Sequence, residues 1–265
     1  MKTPLFYLML LPLMLVISAC DKVIDVQLVN DSDKLVIEGN ITNVSGTQTI
    51  KLNTNVAFTN TNTYPPVTGA QVKVNDQYGN VYTFQESSPG IYTIPTMAGI
   101  SGGVYKLHVT IKGKTYDASS TMPAQVALDN VRAFKDNFST DDNKRKITVY
   151  YHDPKGVVNQ YNFLLYVNDV QVKRVFANND DFTDGNKVTF DLAQDDIGIY
   201  AGDKVTVEMQ SVDKTIYTYW FTLMQQGYKG PIGGVTPSNP PNNITPETLG
   251  YFSAHTTQIK TITVN

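Results

Sequence analysis

Residues 104–122, VYKLHVTIKGKTYDASSTM, indicate the fold of this chain more directly than any other stretch. Apolar and polar side chains alternate along Val104 to Ile111 and again along Lys114 to Met122, as they do in strands with one buried face. Gly113 stands between the two runs, where a tight turn needs a residue free of backbone strain. The stretch therefore predicts a β-hairpin of two antiparallel strands.

Similar short runs, separated by turn residues, occur on both sides of this hairpin. In the N-terminal half the other predicted strands are 34–42, 49–52, 70–75, 81–86 and 90–94. In the C-terminal half they are 129–134, 146–152, 161–167, 170–176, 187–191, 204–212 and 250–264. Pro123 favours a domain boundary between the halves, because proline cannot donate to a strand ladder. We predict an all-β fold of two immunoglobulin/fibronectin-like β-sandwich domains, residues 34–124 and 125–265.

One segment of the second domain, residues 215–227 (TIYTYWFTLMQQG), departs from the two-residue period. Its apolar residues fall at i, i+4, i+7 and i+8, the stripe of an amphipathic helix: Ile216, Trp220, Leu223 and Met224. Asp213 is placed to cap this short helix and Gly227 to end it. A strand is the alternative, because the aromatic residues between 217 and 221 also alternate. The following residues, 228–246, are a Pro/Gly/Asn loop.

The N-terminus has the layout of a secretory signal. Lys2 supplies the positive start, residues 5–17 are almost wholly apolar, and small residues precede Cys20. We expect residues 1–19 to be removed. Cys20 is the only cysteine, which excludes a disulfide framework and requires another role for this residue. Ile17-Ser18-Ala19-Cys20 resembles the lipobox of bacterial lipoproteins, so we expect acylation of Cys20 and a tether over residues 20–33, with an accidental cysteine as the alternative.

The charge of the mature chain argues against several partners. Removal of residues 1–19 takes away one of the 21 basic residues and none of the 24 acidic ones, so 20 − 24 leaves a net charge of −4. Nucleic acid calls for clustered positive charge, and so does membrane binding through a basic patch. We therefore expect no nucleic-acid partner and attachment to the membrane through the lipid on acylated Cys20.

The sequence contains none of the common catalytic or nucleotide-binding motifs, and we predict that the protein is not an enzyme. The three histidines, at positions 108, 152 and 255, are far apart in the chain. Carboxylate pairs for glycoside hydrolysis are conceivable among Asp195, Asp196 and Asp203, but any acidic surface offers such pairs. A hydrolase is the third functional hypothesis for this chain.

A possible metal site lies in residues 178–186 (NNDDFTDGN). Asp180, Asp181 and Asp184 provide hard oxygen ligands that suit Ca²⁺, although the spacing departs from the EF-hand loop. A solvated turn is the alternative. Apart from this Ca²⁺ ion, no cofactor is expected.

Two long polar loops, 54–66 and 228–246, are candidates for recognition, because binding residues concentrate on loops held by a rigid scaffold. Tyr64, Tyr228 and Tyr251 are the candidate contact residues for a glycan, peptide or protein partner. Simple packing or disorder of the loops is the alternative.

The ordered set of motifs resembles the DUF4249 family of Bacteroidetes outer-membrane lipoproteins. The resemblance covers most of the mature chain and rests on Cys20, 35–39 (LVIEG), 66–72 (PVTGAQV), 89–92 (PGIY), 113–118 (GKTYDA), Asp153-Pro154, 202–205 (GDKV), 239–244 (NPPNNI) and 250–254 (GYFSA). It implies an outer-membrane lipoprotein with no established enzymatic activity, often encoded beside TonB-dependent transporters. Asp21, Lys22 and Asp25 loosely resemble the signal that exports such lipoproteins to the cell surface.

We therefore expect a noncatalytic lipoprotein that faces the cell exterior and assists a TonB-dependent outer-membrane receptor in nutrient capture or uptake. An adhesin or surface-filament subunit is the alternative. Exchange of the terminal strand, residues 258–264, between subunits would support assembly of that kind.

Overall fold

A computed structural model describes residues 32–57, 63–227 and 238–265. The predicted signal, Cys20 and Tyr228 lie outside these residues. The segment from Ser32 to Asn265 forms one compact unit. None of its described helices is both long enough and apolar enough to cross a bilayer.

The described residues form sixteen strands and one helix, which confirms the all-β prediction. The first eight strands are β1 (Leu35–Thr42), β2 (Gly46–Thr54), β3 (Gln71–Asp76), β4 (Val81–Ser88), β5 (Ile91–Met97), β6 (Val104–Ile111), β7 (Lys114–Thr121) and β8 (Leu128–Lys135). The others are β9 (Arg145–His152), β10 (Gln160–Val167), β11 (Val170–Gln171), β12 (Phe176–Asn179), β13 (Lys187–Leu192), β14 (Lys204–Ser211), β15 (Ile244–Thr245) and β16 (Leu249–Thr263). The helix, α1, spans Lys214–Gln226.

The predicted hairpin between β6 and β7 is confirmed. Its two turn residues, Lys112 and Gly113, have φ values of 49° and 76°. Positive φ at both central positions gives a turn whose twist matches that of the flanking strands. Asn168 and Asp169, with φ of 50° and 67°, join β10 to β11 in the same way.

The N-terminal half folds around one hydrophobic core. Here β16, β1, β2, β5 and β4 follow one another in the hydrogen-bonded order, which continues through β3, β6, β7 and β15. Because β4 pairs with both β5 and β3, the ladder folds over and encloses its own apolar face. The core side chains include Ile37, Ile50, Leu52, Val72, Val74, Phe84, Tyr92, Leu107, Val109 and Phe252.

The C-terminal half has a second core. A three-stranded sheet, in the order β13, β9, β8, packs against β10, β14 and the end of the chain. The buried side chains include Val149, Tyr151, Tyr161, Phe163, Leu165, Val188, Val205, Val207, Met209 and Val264. The two sheets thus form a sandwich, as the sequence pattern predicts.

Strand β16 belongs to both halves. Residues 249–255 run parallel to β1, and residues 256–263 run antiparallel to β14. Ile244, Phe252 and Ala254 consequently lie in the first core, although the predicted boundary near residue 124 assigns them to the second domain. The boundary marks where the chain first leaves the N-terminal core, and the final strand returns to it.

The helix prediction for residues 215–227 is confirmed. The Asp213 side chain accepts hydrogen bonds from the backbone N–H groups of Thr215 and Ile216, so it caps the first turn of α1. The predicted strand 170–176, in contrast, is divided into the two-residue β11 and the separate β12. Between them the Arg174 N–H donates to Asp196 Oδ2 at 2.7 Å, which turns the backbone away from the ladder.

Polar side chains connect β16 to its neighbours. Asn243 donates to the carbonyls of Ser119 and Phe252 at 2.8 and 2.7 Å and accepts from the Phe252 N–H at 3.0 Å. The Ser120 hydroxyl accepts from the Ala254 N–H and donates to Asp213 Oδ2. These side chains satisfy buried backbone groups where no strand lies alongside.

Candidate functional site

The two loops that the sequence singles out meet at one groove. It is lined by Tyr64, from the loop after β2, and by Asn239, Pro240 and Asn242, from the loop before β15. Its remaining lining residues are Val36, Glu38, Asn53, Tyr219, Leu249 and Gly250. The groove has a volume of about 320 Å³, near the lower end of the range for small-ligand sites.

Backbone contacts hold Tyr64 at the rim of the groove. The Thr54 N–H donates to the Pro65 carbonyl at 2.9 Å, and the Val67 N–H donates to the Leu52 carbonyl at 2.8 Å. The residues after Tyr64 are therefore fastened to β2. The Tyr64 side chain itself is 53% exposed.

The opposite wall is equally well fixed. Asn242 donates to the Thr248 carbonyl at 2.7 Å and accepts from the Ile244 N–H at 2.9 Å. The Thr248 hydroxyl donates to the Leu35 carbonyl at 2.5 Å, which ties this segment to β1. Because both walls are held in place before a partner binds, binding would cost little conformational entropy of the protein.

Tyr251, the third predicted contact residue, lies beneath helix α1. Its ring centroid is 5.1 Å from that of Tyr219 and 5.0 Å from that of Trp220. Its hydroxyl accepts a 3.4 Å hydrogen bond from Asn40. Tyr251 thus supports the wall of the groove through Tyr219, while Trp220 packs within this aromatic cluster.

The floor of the groove combines apolar surface with one charged side chain. Glu38 is half-buried beside Tyr219, and burial, followed by the Glu38 charge, raises the pKa of Tyr219 to about 12. The tyrosine hydroxyl is therefore protonated at neutral pH and available as a donor. A second cleft, of about 580 Å³, adjoins the groove because the two share Asn239, Pro240, Asn242 and Leu249.

The predicted calcium ligands separate into two groups. Asp180 and Asp184 converge on Asp153, with one carboxylate oxygen of each within 4.8 Å of the others. Asp181 is exposed and accepts a 2.6 Å hydrogen bond from Asn179 instead. Sequence analysis missed Asp153, because it lies 27 positions before Asp180 and the two loops are brought together by the pairing of β9 with β13 and of β10 with β12.

The candidate hydrolase carboxylates serve as acceptors for local structure. Asp195 pairs with Lys144 at 2.9 Å, and this hydrogen bond lowers the pKa of Asp195. Asp196 accepts from the Arg174 N–H, as described above, and Asp203 accepts from the Tyr200 N–H at 2.8 Å. Each of the three carboxylates thus accepts a hydrogen bond that stabilises local structure.

The histidines lie on three different strands. His108, on β6, contacts Asp117 at 2.5 Å on the surface, and His152 ends β9. His255, on β16, is buried beside Ser253, with 2.9 Å between Oγ and Nδ1. Among the described residues, the only group of three or more potential metal ligands within reach of one ion is the aspartate cluster, and it contains no histidine.

Comparison with known proteins places the chain in a family. The solved structures with similarity include a two-domain fibronectin type-III segment of chicken tenascin, at 13% identity and TM-score 0.22, covering 68% of this chain and 91% of that one. The adhesin InvE of Yersinia pseudotuberculosis is 20% identical with TM-score 0.22, covering 68% of this chain and 55% of that one. No curated protein matches. The model of the domain of unknown function DUF4249 matches residues 21–261, and the chain therefore belongs to the DUF4249 family.

Proposed function

We propose that this chain is a noncatalytic outer-membrane lipoprotein, exposed at the cell surface, that assists a TonB-dependent receptor in nutrient capture or uptake. The binding role rests on the convergence of Tyr64 with Asn239, Pro240 and Asn242 on one groove. These residues come from loops nearly two hundred positions apart, and both walls are fixed by hydrogen bonds within the unit.

The groove has the chemistry of a recognition site for a polar ligand or a protein loop. Exposed tyrosine provides contact area at low entropic cost, and amide side chains provide donors and acceptors. Glu38 adds a negative charge to the floor. This combination favours a partner that has hydroxyl, amide or cationic groups beside an apolar face.

The tether limits where such a partner can be. Twelve residues separate Cys20 from Ser32 (32 − 20), and a chain of that length spans at most about 40 Å. Acyl chains on Cys20 would hold the protein at the membrane, since each buried methylene contributes about 0.8 kcal/mol. An outer-membrane receptor lies within that reach.

Two measurements test this proposal. Mass spectrometry of the mature protein is expected to find fatty acyl groups on Cys20, and native purification in mild detergent is expected to recover an outer-membrane barrel. Tyr64→Ala is expected to reduce that recovery by about tenfold or more, as loss of a tyrosine that contributes strongly to an interface does. Tyr78→Ala is the matched control, because Tyr78 is 73% exposed in the turn after β3 and does not line the groove. An unacylated Cys20, or equal effects of the two tyrosine variants, would contradict the proposal.

The alternative role, an adhesin or filament subunit assembled by strand exchange, lacks a supporting contact. Residues 256–263, which include most of the strand considered for exchange, pair with β14 of the same chain. Release of that strand would expose the second core, because Val264 is buried there.

A further inference from the structure

Two loops at one end of the second core bring three aspartates together. The loop after β9 contributes Asp153, and the loop after β12 contributes Asp180 and Asp184. Asp153 is 0% exposed and Asp180 is 6% exposed, whereas Asp184 is at the surface. The cluster therefore extends from the protein interior to solvent.

Each of these carboxylates uses one oxygen for a donor of the protein. Asp180 Oδ2 accepts from the Asn159 N–H at 2.7 Å, and Asp184 Oδ1 accepts from the Gly156 N–H at 2.6 Å. Asp153 Oδ1 accepts from the Tyr161 hydroxyl. These bonds fix the orientation of all three side chains, so the second oxygens remain available to a shared ligand.

The second oxygen of Asp153 is buried without a partner. Oδ2 makes no hydrogen bond, although the nearby Gly185 N–H lowers the pKa of this carboxyl. The Thr183 hydroxyl oxygen, in the same loop as Asp180 and Asp184, is also buried without a partner. Unpartnered buried polar atoms are rare, and each one calls for a bound ion, a water molecule or a functional explanation.

Within residues 32–57, 63–227 and 238–265, no positive side chain forms an ion pair with the cluster. None of the ion pairs among the described residues includes Asp153, Asp180 or Asp184. Lys155 packs its Cβ and Cγ beside Gly185 but forms no ion pair with these carboxylates. Adjacent buried carboxylates require either a shared proton or a cation.

We propose that Asp153, Asp180 and Asp184 bind a Ca²⁺ ion that joins the two loops, with the Thr183 hydroxyl as a neutral ligand. Ca–O distances of 2.3–2.6 Å allow two oxygens on one ion to lie up to about 5 Å apart, which accommodates the 4.8 Å limit of this cluster. Three carboxylates plus neutral oxygens and water suit the flexible, oxygen-rich coordination of Ca²⁺. The site differs from the predicted one by the replacement of Asp181 with Asp153.

This ion would fix the surface that the second loop displays. Phe182 lies between two of the proposed ligands in sequence and is 97% exposed. Its side chain lines a cleft with Tyr217, Phe221 and Val158. Calcium would therefore immobilise an exposed aromatic side chain beside helix α1.

Terbium luminescence provides a direct test, because Tb³⁺ replaces Ca²⁺ and is sensitised by a nearby tyrosine. Tyr161 donates to Asp153 and is thus next to the ion. The mature, detergent-solubilised protein, freed of metal with a chelator, is expected to give Tb³⁺ emission that Ca²⁺ displaces. A dissociation constant for Ca²⁺ of about 0.1–1 mM is typical of extracellular sites, and 10 mM Ca²⁺ is then expected to raise Tm by about 3–10 °C.

Three variants distinguish this site from adventitious binding. Asp184→Asn, at an exposed position that tolerates substitution, is expected to weaken Ca²⁺ binding at least about tenfold. Asp153→Asn is expected to abolish it, and Asp181→Asn, in the same loop, is the matched control that retains it. A protein that shows no Ca²⁺-displaceable emission holds a shared proton or a water there, and that result overturns the proposal. An equal loss of Ca²⁺ affinity in the Asp181→Asn and Asp184→Asn variants also overturns the proposal.

Discussion

Gly250 lies directly against the backbone of Ile37, so that a Cβ on Gly250 would be 2.0 Å from the Ile37 carbonyl oxygen. The two residues are register partners in the parallel pairing of β16 with β1. Gly250 also has a φ of 95°, which side chains rarely adopt. Only glycine allows this close approach at the point where the last strand enters the first core.

Gly250→Ala is expected to lower the free energy of unfolding by about 3 kcal/mol or more, because the clash involves backbone that cannot rotate away. Gly202→Ala is the matched control: its φ is 94°, but no atom lies within 4 Å of the added Cβ. We expect this control to cost only about 1–2 kcal/mol, from backbone strain alone. Urea denaturation of both variants measures the difference, and equal losses would contradict the steric explanation.

The hydrogen bond between Ser120 and Asp213 joins β7 to the start of α1. Asp213→Ala removes the helix cap as well, and is expected to cost about 1–3 kcal/mol in unfolding free energy. A double-mutant cycle with Ser120→Ala is expected to give a coupling energy of about 1–2 kcal/mol. Ser119→Ala, with an exposed side chain, is the control; additive effects of Ser120→Ala and Asp213→Ala would contradict the coupling.

His255 gives the stability a distinct pH dependence. Burial lowers its pKa from the ordinary value of 6.5 to about 4, so the unfolded chain binds a proton that the folded chain does not bind. Stability is therefore complete above pH 6.5 and is lost as the pH falls toward 4. Between pH 7 and pH 5 we expect a loss of about 2 kcal/mol in unfolding free energy.

Urea denaturation at these two pH values tests the expectation. His255→Gln is expected to remove most of this loss in unfolding free energy. The carboxyl groups with lowered pKa, such as Asp191 and Asp195, contribute mainly below about pH 5. An identical pH dependence in the His255→Gln protein would contradict the assignment.

Trp220, the sole tryptophan, reports on the docking of α1 against β16 through its contact with Tyr251. Because β16 is shared by both cores, we expect tryptophan fluorescence and far-ultraviolet circular dichroism to give coincident urea transitions. Gly250→Ala, which acts in the first core, is expected to shift both curves together. Two separated transitions would show that the halves unfold independently.

Local patterns predict much of this fold. The hairpin at Gly113 and the helix after Asp213 depend on neighbouring residues alone, through turn geometry and capping. The division of strand 170–176 depends on Asp196, which is distant in sequence and accepts a hydrogen bond from the Arg174 backbone N–H. Strand periodicity does not encode such a contact.

The candidate sites also combine features that local sequence indicates with features that depend on contacts between distant residues. Tyr64 and the loop before β15 are recognisable in the sequence by their composition, but nothing in it indicates that they share a groove. Asp153 lies beside Asp180 because His152 pairs with Lys187 and Gln160 pairs with Asn179. Asp153 can therefore be identified as the third aspartate of the cluster only when the sheet topology is known.

The shared strand β16 also affects how the protein is made. Residues 249–263 follow every other strand in the chain, so the ribosome supplies them after all of the partners with which they pair. Until then the first core lacks Phe252 and Ala254, and β14 lacks its outer neighbour. A polypeptide that cannot close either half before this point is expected to complete its folding only after residues 249–263 have been synthesised.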